Sequence, residues 1–480
     1  MVTESPPGRP GNLTSEQEVK LKEFWKLTLK VFGVSVENLG LSEEADDEEV
    51  EEDASSSVAS PEQKKKRKGF FRRKPKGDKV KTDPPKEANG IHIKGGDADD
   101  KYGQTKEFQQ ALADNHPEDL RRAFWSMVKH DNPDGLLLRF LRARKWDVEK
   151  ALVMLVSTMQ WRAKEMHVDD NIILKGEGYA LAESQGEQGP ARKKEGEDFL
   201  AQLRLGKSFL HGMDKEGRPM CFVRARLHRA GEQSEPSLER YTVYTIETAR
   251  LFLSPPVDTA AIVFDLTGFS MANMDYTPVK FMIKCFEANY PESLGVVLVH
   301  HAPWVFQGIW KIIKGWLDPV VAAKVHFTND LKDLEEFIPK NHIIKELGGD
   351  DDYQYEYKEP QPGEDDLLQD TATRDKKLEE RAATVKEYEI TTCQWMHAPI
   401  GDKEYSTKRS SLAESLRRGY WQLDPYLRAR TIYDRIGLIK QDGTGTIVYY
   451  PGHEKTAAAT PVATTADAKE TSGTHADDVD

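Results

Sequence analysis

Two short, almost uninterrupted apolar runs constrain the fold of this chain most: residues 260–264, ending at Asp265, and residues 295–299. A strand that is apolar at nearly every position has both faces covered. That is the pattern of a parallel sheet clothed by helices. Helical patterns fill the intervals at 238–253 and 277–290, and another helix, 304–317, follows the second run. A third β-rich run, 220–226, is introduced by the turn DKEGRP at 214–219. The unit closes near Leu347-Gly348-Gly349. The predicted fold class is α/β, with a mixed, mostly parallel sheet.

Upstream the texture is helical. Over 105–166, Leu120, Phe124 and Val128 recur every four residues. Asp147 is placed to cap a helix whose stripe is Val148, Leu152, Leu155 and Met159. Residues 175–197, rich in glycine and charge, read as a loop. An N-terminal helix is expected over 15–32, with Ser15 and Glu18 as a capping box. Between these helical parts stand an acidic block, 43–53, and a polybasic block, 64–81, with Phe70 and Phe71 inside it. Such blocks cannot bury enough apolar surface to fold. The expected organisation is an N-terminal helix (1–34), a disordered charged linker (35–103), a helical lobe (104–168), an α/β domain (169–350), a helical C-terminal extension (366–452) and a disordered tail (453–480). A hairpin is expected around Asp442-Gly443.

Several function classes are excluded. The net charge of -13 argues against nucleic-acid binding. Cys221, Cys285 and Cys393 are far apart and lack a CxxC or a His cluster, so neither a disulfide framework nor a metal site is expected. The start of the chain lacks a secretion-signal pattern, and no run of about 18 apolar residues could cross a membrane. No phosphate loop or nucleophile elbow occurs, so no catalytic residues are assigned and the chain is read as a non-enzyme. His300 and His301 follow a strand but have no partner at ligand spacing, which favours a structural role.

Two segments invite a functional reading. In helix 304–317, Gln307, Lys311 and Lys314 form a narrow polar stripe between Trp304, Phe306, Ile309, Trp310, Ile313 and Trp316. It is either a core helix or a lid whose outer face meets a membrane; indole is comfortable at headgroup depth. The run 137–145 (LLRFLRARK) sets basic residues between greasy ones.

In order along the chain, LLRFLRARKWD (137–147), DKEGRPMCF (214–222), AAIVFDLTG (260–268), YPESLG (290–295) and LDPVVAAKVHF (317–327) resemble the CRAL-TRIO lipid-binding family. The likeness is to its fungal phosphatidylinositol transfer branch and covers roughly residues 105–350. The segments outside that span resemble those of the extended fungal members. The resemblance implies a helical N-terminal lobe and an α/β lobe whose sheet floors an apolar cavity under a gate helix, here 304–317. It implies a phospholipid ligand, phosphatidylinositol, and no other cofactor. Arg144, Lys145, Glu292 and Lys324 match the family's headgroup residues. Arg and Lys suit a phosphodiester and a carboxylate suits inositol hydroxyls, although Glu292 and Lys324 could equally be a structural ion pair. Ser293 replaces an Arg common in relatives, Val321 replaces a Thr, and Ala260 and Ile262 replace the hydroxyl residues that serve phosphatidylcholine.

The implied function is lipid transfer in the cytoplasm, with transient visits to intracellular membranes and phosphoinositide-metabolising enzymes as partners. Two alternatives stand beside it. One is a carrier of another hydrophobe, sterol-like or a different phospholipid. The other is a membrane-associated adaptor recruiting a partner through 1–103 or 366–450. The polybasic block could be a solvated linker or a nuclear-import signal; the preferred reading is a weak attraction to anionic lipid, tuned by the acidic block and by phosphorylation of Ser55 to Ser57.

Overall fold

The computed structural model describes residues 5–34, 100–186 and 189–450. Most of the expected linker, with both charge blocks and Ser55 to Ser57, and the tail 453–480 lie outside the described residues. The chain divides into two compact units. Among the described residues, one is formed by those of 7–165 and 382–416, the other by those of 166–381 and 417–450.

The first unit is helical: α1 (Ser15–Val31), α2 (Gln104–Asp114), α3 (Pro117–Val128), α4 (Pro133–Ala143) and α5 (Val148–Gln160). Asp147 caps α5 as expected, accepting from Lys150 N at 3.0 Å. The cap of α1 is one residue earlier than expected. Thr14 has the extended backbone a cap needs, and it exchanges hydrogen bonds with Gln17 rather than Ser15 with Glu18. α5 is the hub, buried continuously from Ala151 to Met159 and packed by α1 to α4. Asp134 ties three separate stretches together. It accepts from Trp25 Nε1 at 2.7 Å, Arg409 Nη2 at 2.5 Å and Tyr388 Oη at 3.1 Å.

The second unit opens with two helices where a loop was expected: α6 (Gly176–Gln185) and α7 (Pro190–Arg204). Their buried positions include carboxylates, so an apolar stripe gives little sign of them. Glu183 is buried because Arg240 donates to it at 2.9 Å. Glu177, fully buried, accepts from Tyr244 Oη (2.5 Å), Tyr357 Oη (2.9 Å), Ile432 N (3.0 Å) and Arg435. Gly196 lets α7 lie against α6, since a Cβ there would sit 2.7 Å from the Ala180 carbonyl.

The sheet that follows has five strands in sequential order: β1 (Ser208–Met213), β2 (Pro219–Arg224), β3 (Ala260–Asp265), β4 (Leu294–His300) and β5 (Val325–Thr328). β1 is antiparallel to β2 and the other pairings are parallel. The intervening helices are α8 (Glu235–Leu251), α9 (Tyr276–Lys284), α10 (Phe306–Lys314) and α11 (Pro319–Ala322), and α12 (Leu331–Glu335) follows β5. Because side chains alternate along a strand, the sheet has two distinct faces. Met220, Phe222, Ala261, Val263, Val296 and Leu298 point to one face and pack under Leu334, Ile338 and Ile343. The other face belongs to the site described below.

The C-terminal extension forms α13 (Thr371–His397), α14 (Glu404–Leu423) and α15 (Ile432–Arg435). Residues 382–416 fall in the helical unit and those from 417 onward in the sheet unit. Arg428 is buried between Asp424 and Asp434, at 2.7 Å from each. The expected hairpin is a turn closed by a single bridge, Ile439 to Ile447. Two tyrosines of this segment reach the edge strand: Leu210 N donates to Tyr433 Oη at 2.8 Å and Met213 N to Tyr450 Oη at 2.9 Å.

Candidate functional site

The second face of the sheet floors a cavity of about 320 Å³. One water fills about 10–15 Å³ of such space, so this is far larger than a packing defect. Strand register explains the floor. Cys221, Ile262, Val297 and Val325 are register partners across β2 to β5, and all four line the cavity. Residues two further along, Val223, Phe264 and Val299, form a second row. α8, α9 and α10 supply the walls, with Ile246, Met282, Phe286 and Trp310 among the lining residues.

The helix expected over 304–317 is present in a shorter form, α10. Phe306, Trp310 and Ile313 line the cavity, and Ile309 is buried with Leu266 and Val299. The opposite face is exposed. Trp304 has 85% of its surface open and Ile312 47%, beside Lys311 and Lys314. Trp316 stands edge-on to Tyr276 of α9, at 5.3 Å, with the Lys280 ammonium over its ring at 4.8 Å.

The parallel pairing of β4 and β5 sets their amino ends side by side. Glu292 enters β4 and Lys324 enters β5, and the two side chains meet at 3.6 Å, each about one-fifth exposed. Glu292 adopts a left-handed backbone (φ 53°). Next to it Ser293 lines the cavity and donates to the Tyr290 carbonyl at 2.6 Å. Val321, Ala260 and Ile262 also line the cavity and add only apolar surface to it. Arg144 and Lys145 lie in the helical unit, at the end of α4. Arg144 Nη2 donates to Gln104 Oε1 at 2.6 Å, and Lys145 is exposed in a left-handed conformation (φ 51°).

The other flagged residues have structural surroundings. Burial and the neighbouring His301 push His300 down to about 4, so it is neutral, with Nδ1 3.0 Å from Thr328 Oγ1. Asp265 accepts from Arg226 at 2.7 Å and from Thr267 N at 2.9 Å, fixing the turn after β3. The three cysteines are buried and unpaired with one another; burial pushes the Cys221 thiol up to about 12 and Cys393 up to about 11. Among the described residues no cluster could hold a metal ion, and no helix is long and apolar enough to cross a membrane.

The sequence reading passed over one set of lining residues: Gln202, Lys207 and His228. Lys207 precedes β1, and that strand carries no clear apolar alternation in sequence, so nothing marked its neighbours as cavity residues.

Comparison with known proteins agrees with this architecture. The CRAL/TRIO domain matches residues 203–349 and the CRAL/TRIO N-terminal domain residues 104–157. The chain is 42% identical over 441 residues to a CRAL-TRIO domain-containing protein of Schizosaccharomyces pombe, covering 92% of this chain and 94% of that protein. It is 39% identical over 447 residues to the phosphatidylinositol transfer protein CSR1 of Eremothecium gossypii, covering 92% of this chain and all of that protein. The Sec14 cytosolic factor of Schizosaccharomyces pombe is more distant, 27% identical over 52% of this chain and 84% of its own length. With both domains matched in order and full-length relatives at this identity, the chain belongs to the CRAL-TRIO family.

Proposed function

We propose that this protein binds phosphatidylinositol in the sheet-floored cavity and transfers it between membranes as a non-enzymatic carrier. The observation that carries the reading is the apolar cavity under α10, with the Glu292–Lys324 pair beside its lining residues Ser293, Val321 and Val325. A relative identical at 39% of positions over nearly the whole chain is named a phosphatidylinositol transfer protein. Burying acyl chains stabilises by about 0.8 kcal/mol per CH₂, so two chains hold a lipid in membrane by on the order of 20 kcal/mol. Only an equally apolar cavity, opened at a surface, can offset that. Phe306, Trp310 and Ile313 close the cavity, while Trp304 and Ile312 face outward beside two lysines, a composition suited to an anionic bilayer surface.

In this reading Lys324 compensates the phosphodiester and Glu292 accepts from inositol hydroxyls, and Arg144 and Lys145 are proposed for the headgroup on the motif they match alone. The Glu292–Lys324 pair holds both charges compensated when no headgroup is bound. The apolar Ala260 and Ile262 disfavour a phosphatidylcholine headgroup deep in the cavity. The carrier works in the cytoplasm, visits intracellular membranes peripherally and supplies phosphoinositide-metabolising enzymes.

The test is the lipid that co-purifies from a eukaryotic host, identified by mass spectrometry beside a Glu292→Ala/Lys324→Ala double variant. Phosphatidylinositol enriched in the wild type and lost in the variant is the expected result. A different hydrophobe in both would replace this reading with a carrier of that hydrophobe. An empty cavity with undiminished binding to vesicles would favour the adaptor.

A further inference from the structure

The cavity has a second polar end. Glu292 and Lys324 stand at the amino ends of β4 and β5, whereas Lys207 stands at the carboxyl end of the parallel strands. Its carbonyl accepts from Arg224 N at 2.9 Å, and Arg224, Asp265 and His300 are the register partners that end β2, β3 and β4. Lys207 lines the cavity there, with His228, Asn273 and Asp275.

The ammonium is held but not neutralised. Lys207 is 6% exposed, and Nζ donates to Gln233 Oε1 at 2.7 Å and lies 3.3 Å from His228 Nδ1. A lysine only donates, so Nδ1 accepts and the ring proton sits on Nε2, 3.4 Å from Asp275 Oδ2. Burial and the Lys207 charge hold His228 below its ordinary range, so the ring is neutral at pH 7. Asn273 fixes this loop, donating from Nδ2 to the carbonyls of Arg226 at 3.0 Å and His228 at 2.9 Å. Both direct partners of the ammonium are therefore uncharged, and one of its three N–H groups is left for a further acceptor. Burial, only partly offset by Glu232, Asp198 and Asp275, pushes the amine down to about 8, which leaves it charged at neutral pH.

A buried lysine without a carboxylate against it is rare and costly. The two arginines that line the same cavity each have one: Arg224 pairs with Glu346, and Arg250 with Glu247 at 3.1 Å. What Lys207 lacks is an anion, and its surroundings define which. The apolar floor and walls suit a hydrocarbon chain. An ammonium this buried suits an anion that ends the chain, rather than a phosphodiester that carries a further substituent. We propose that Lys207 receives the carboxylate of a single long-chain fatty acid, whose tail lies along the apolar floor of the cavity. This is a second class of ligand beside phosphatidylinositol, with its head at the other end of the sheet, and its site needs the cavity but not Glu292 or Lys324.

The full chain is stripped of lipid and offered oleic acid, oleyl alcohol, octadecene or oleoyl lysophosphatidic acid, each alone, at pH 7. The ligand retained after gel filtration is measured by mass spectrometry. Oleic acid is expected to be held roughly tenfold better than either neutral ligand, the size of one hydrogen bond to a charged group in a dry site. Lys207→Met leaves the carboxylate without a partner and should reverse the order of acid and alcohol, while octadecene is retained as in the wild type. Equal retention of acid and alcohol, or an acid preference that survives in Lys207→Met, overturns the proposal. So does an acid preference lost only in Lys324→Met, which would place the carboxylate at the other end. Lysophosphatidic acid held more tightly than oleic acid, with Lys207→Met abolishing the difference, would make this a phosphate site and overturn the carboxylate assignment.

Discussion

Replacing Glu177 by leucine tests how the sheet unit holds its C-terminal segment. Glu177 is 0% exposed and receives hydrogen bonds from Tyr244, Tyr357, Ile432 N and Arg435. Leucine fills much of the same volume but accepts nothing. Arg435 keeps Glu364 at 2.9 Å, so its charge is not wholly abandoned. Breaking a buried ion pair from one side costs about 3–5 kcal/mol, and each buried donor left without a partner about 1–3 kcal/mol. These terms share one carboxylate and do not add, so the expected loss is about 4–6 kcal/mol. Glu177→Gln keeps the shape and one acceptor, and should lose about half of that. In urea, with an m-value of about 3 kcal/mol/M, the leucine variant's midpoint falls by roughly 1.3–2 M. Hydrogen exchange read by mass spectrometry should show residues 417–450 losing protection first. A midpoint shift of the leucine variant below roughly 0.3 M would refute the assignment of Glu177 as the anchor.

Other expectations follow from the same reasoning. Asp434 is buried, which alone would raise it, but Arg428 holds it down at about 2. Its contribution is present above the ordinary carboxylate range and is lost as pH falls from about 4 to about 2; it amounts to about 2 kcal/mol. Acid titration of stability in Asp434→Asn should lack that component. Lys207 runs the other way. The folded chain binds its proton less readily than the unfolded one, so stability rises with pH from about 8 to the usual lysine value. Lys207→Met should therefore be more stable at pH 7 by up to about 3 kcal/mol in thermal melts, the gain fading above about pH 10. Trp304→Ala removes an indole that contacts little in the protein and should weaken sedimentation with anionic vesicles about tenfold, with no change in melting temperature.

The parts of the fold legible in sequence were those governed by continuous apolarity. β3 and β4 are apolar at almost every position, and α5 has a clean stripe, so each was expected close to where it lies. α6 was hidden because its inward positions include Glu177 and Glu183, whose burial depends on arginines about 60 to 260 residues away in the chain, and α7 because its inward positions include Asp198 and Gln202. β1 and β5 were hidden by shortness and mixed composition. The Glu292–Lys324 pair came from motif resemblance, and the register of β4 and β5 explains why two residues so far apart in sequence meet. Gln202 and Lys207 could not be found that way. Gln202 stands out by an acceptor without a donor and Lys207 by its burial, and both exist only once the neighbours are in place.

The two tyrosine hydroxyls that the C-terminal segment adds on β1, beside that of Tyr241 on Ser208 N, have a consequence for how the protein behaves in a crowded solution. An outermost strand with free N–H groups is a template on which a strand of another molecule can assemble. Tyr433 and Tyr450 occupy the donors of Leu210 and Met213 without themselves offering a new strand. A chain shortened before residue 433 would uncover that template, so the cost of trimming the extension would first be seen as aggregation.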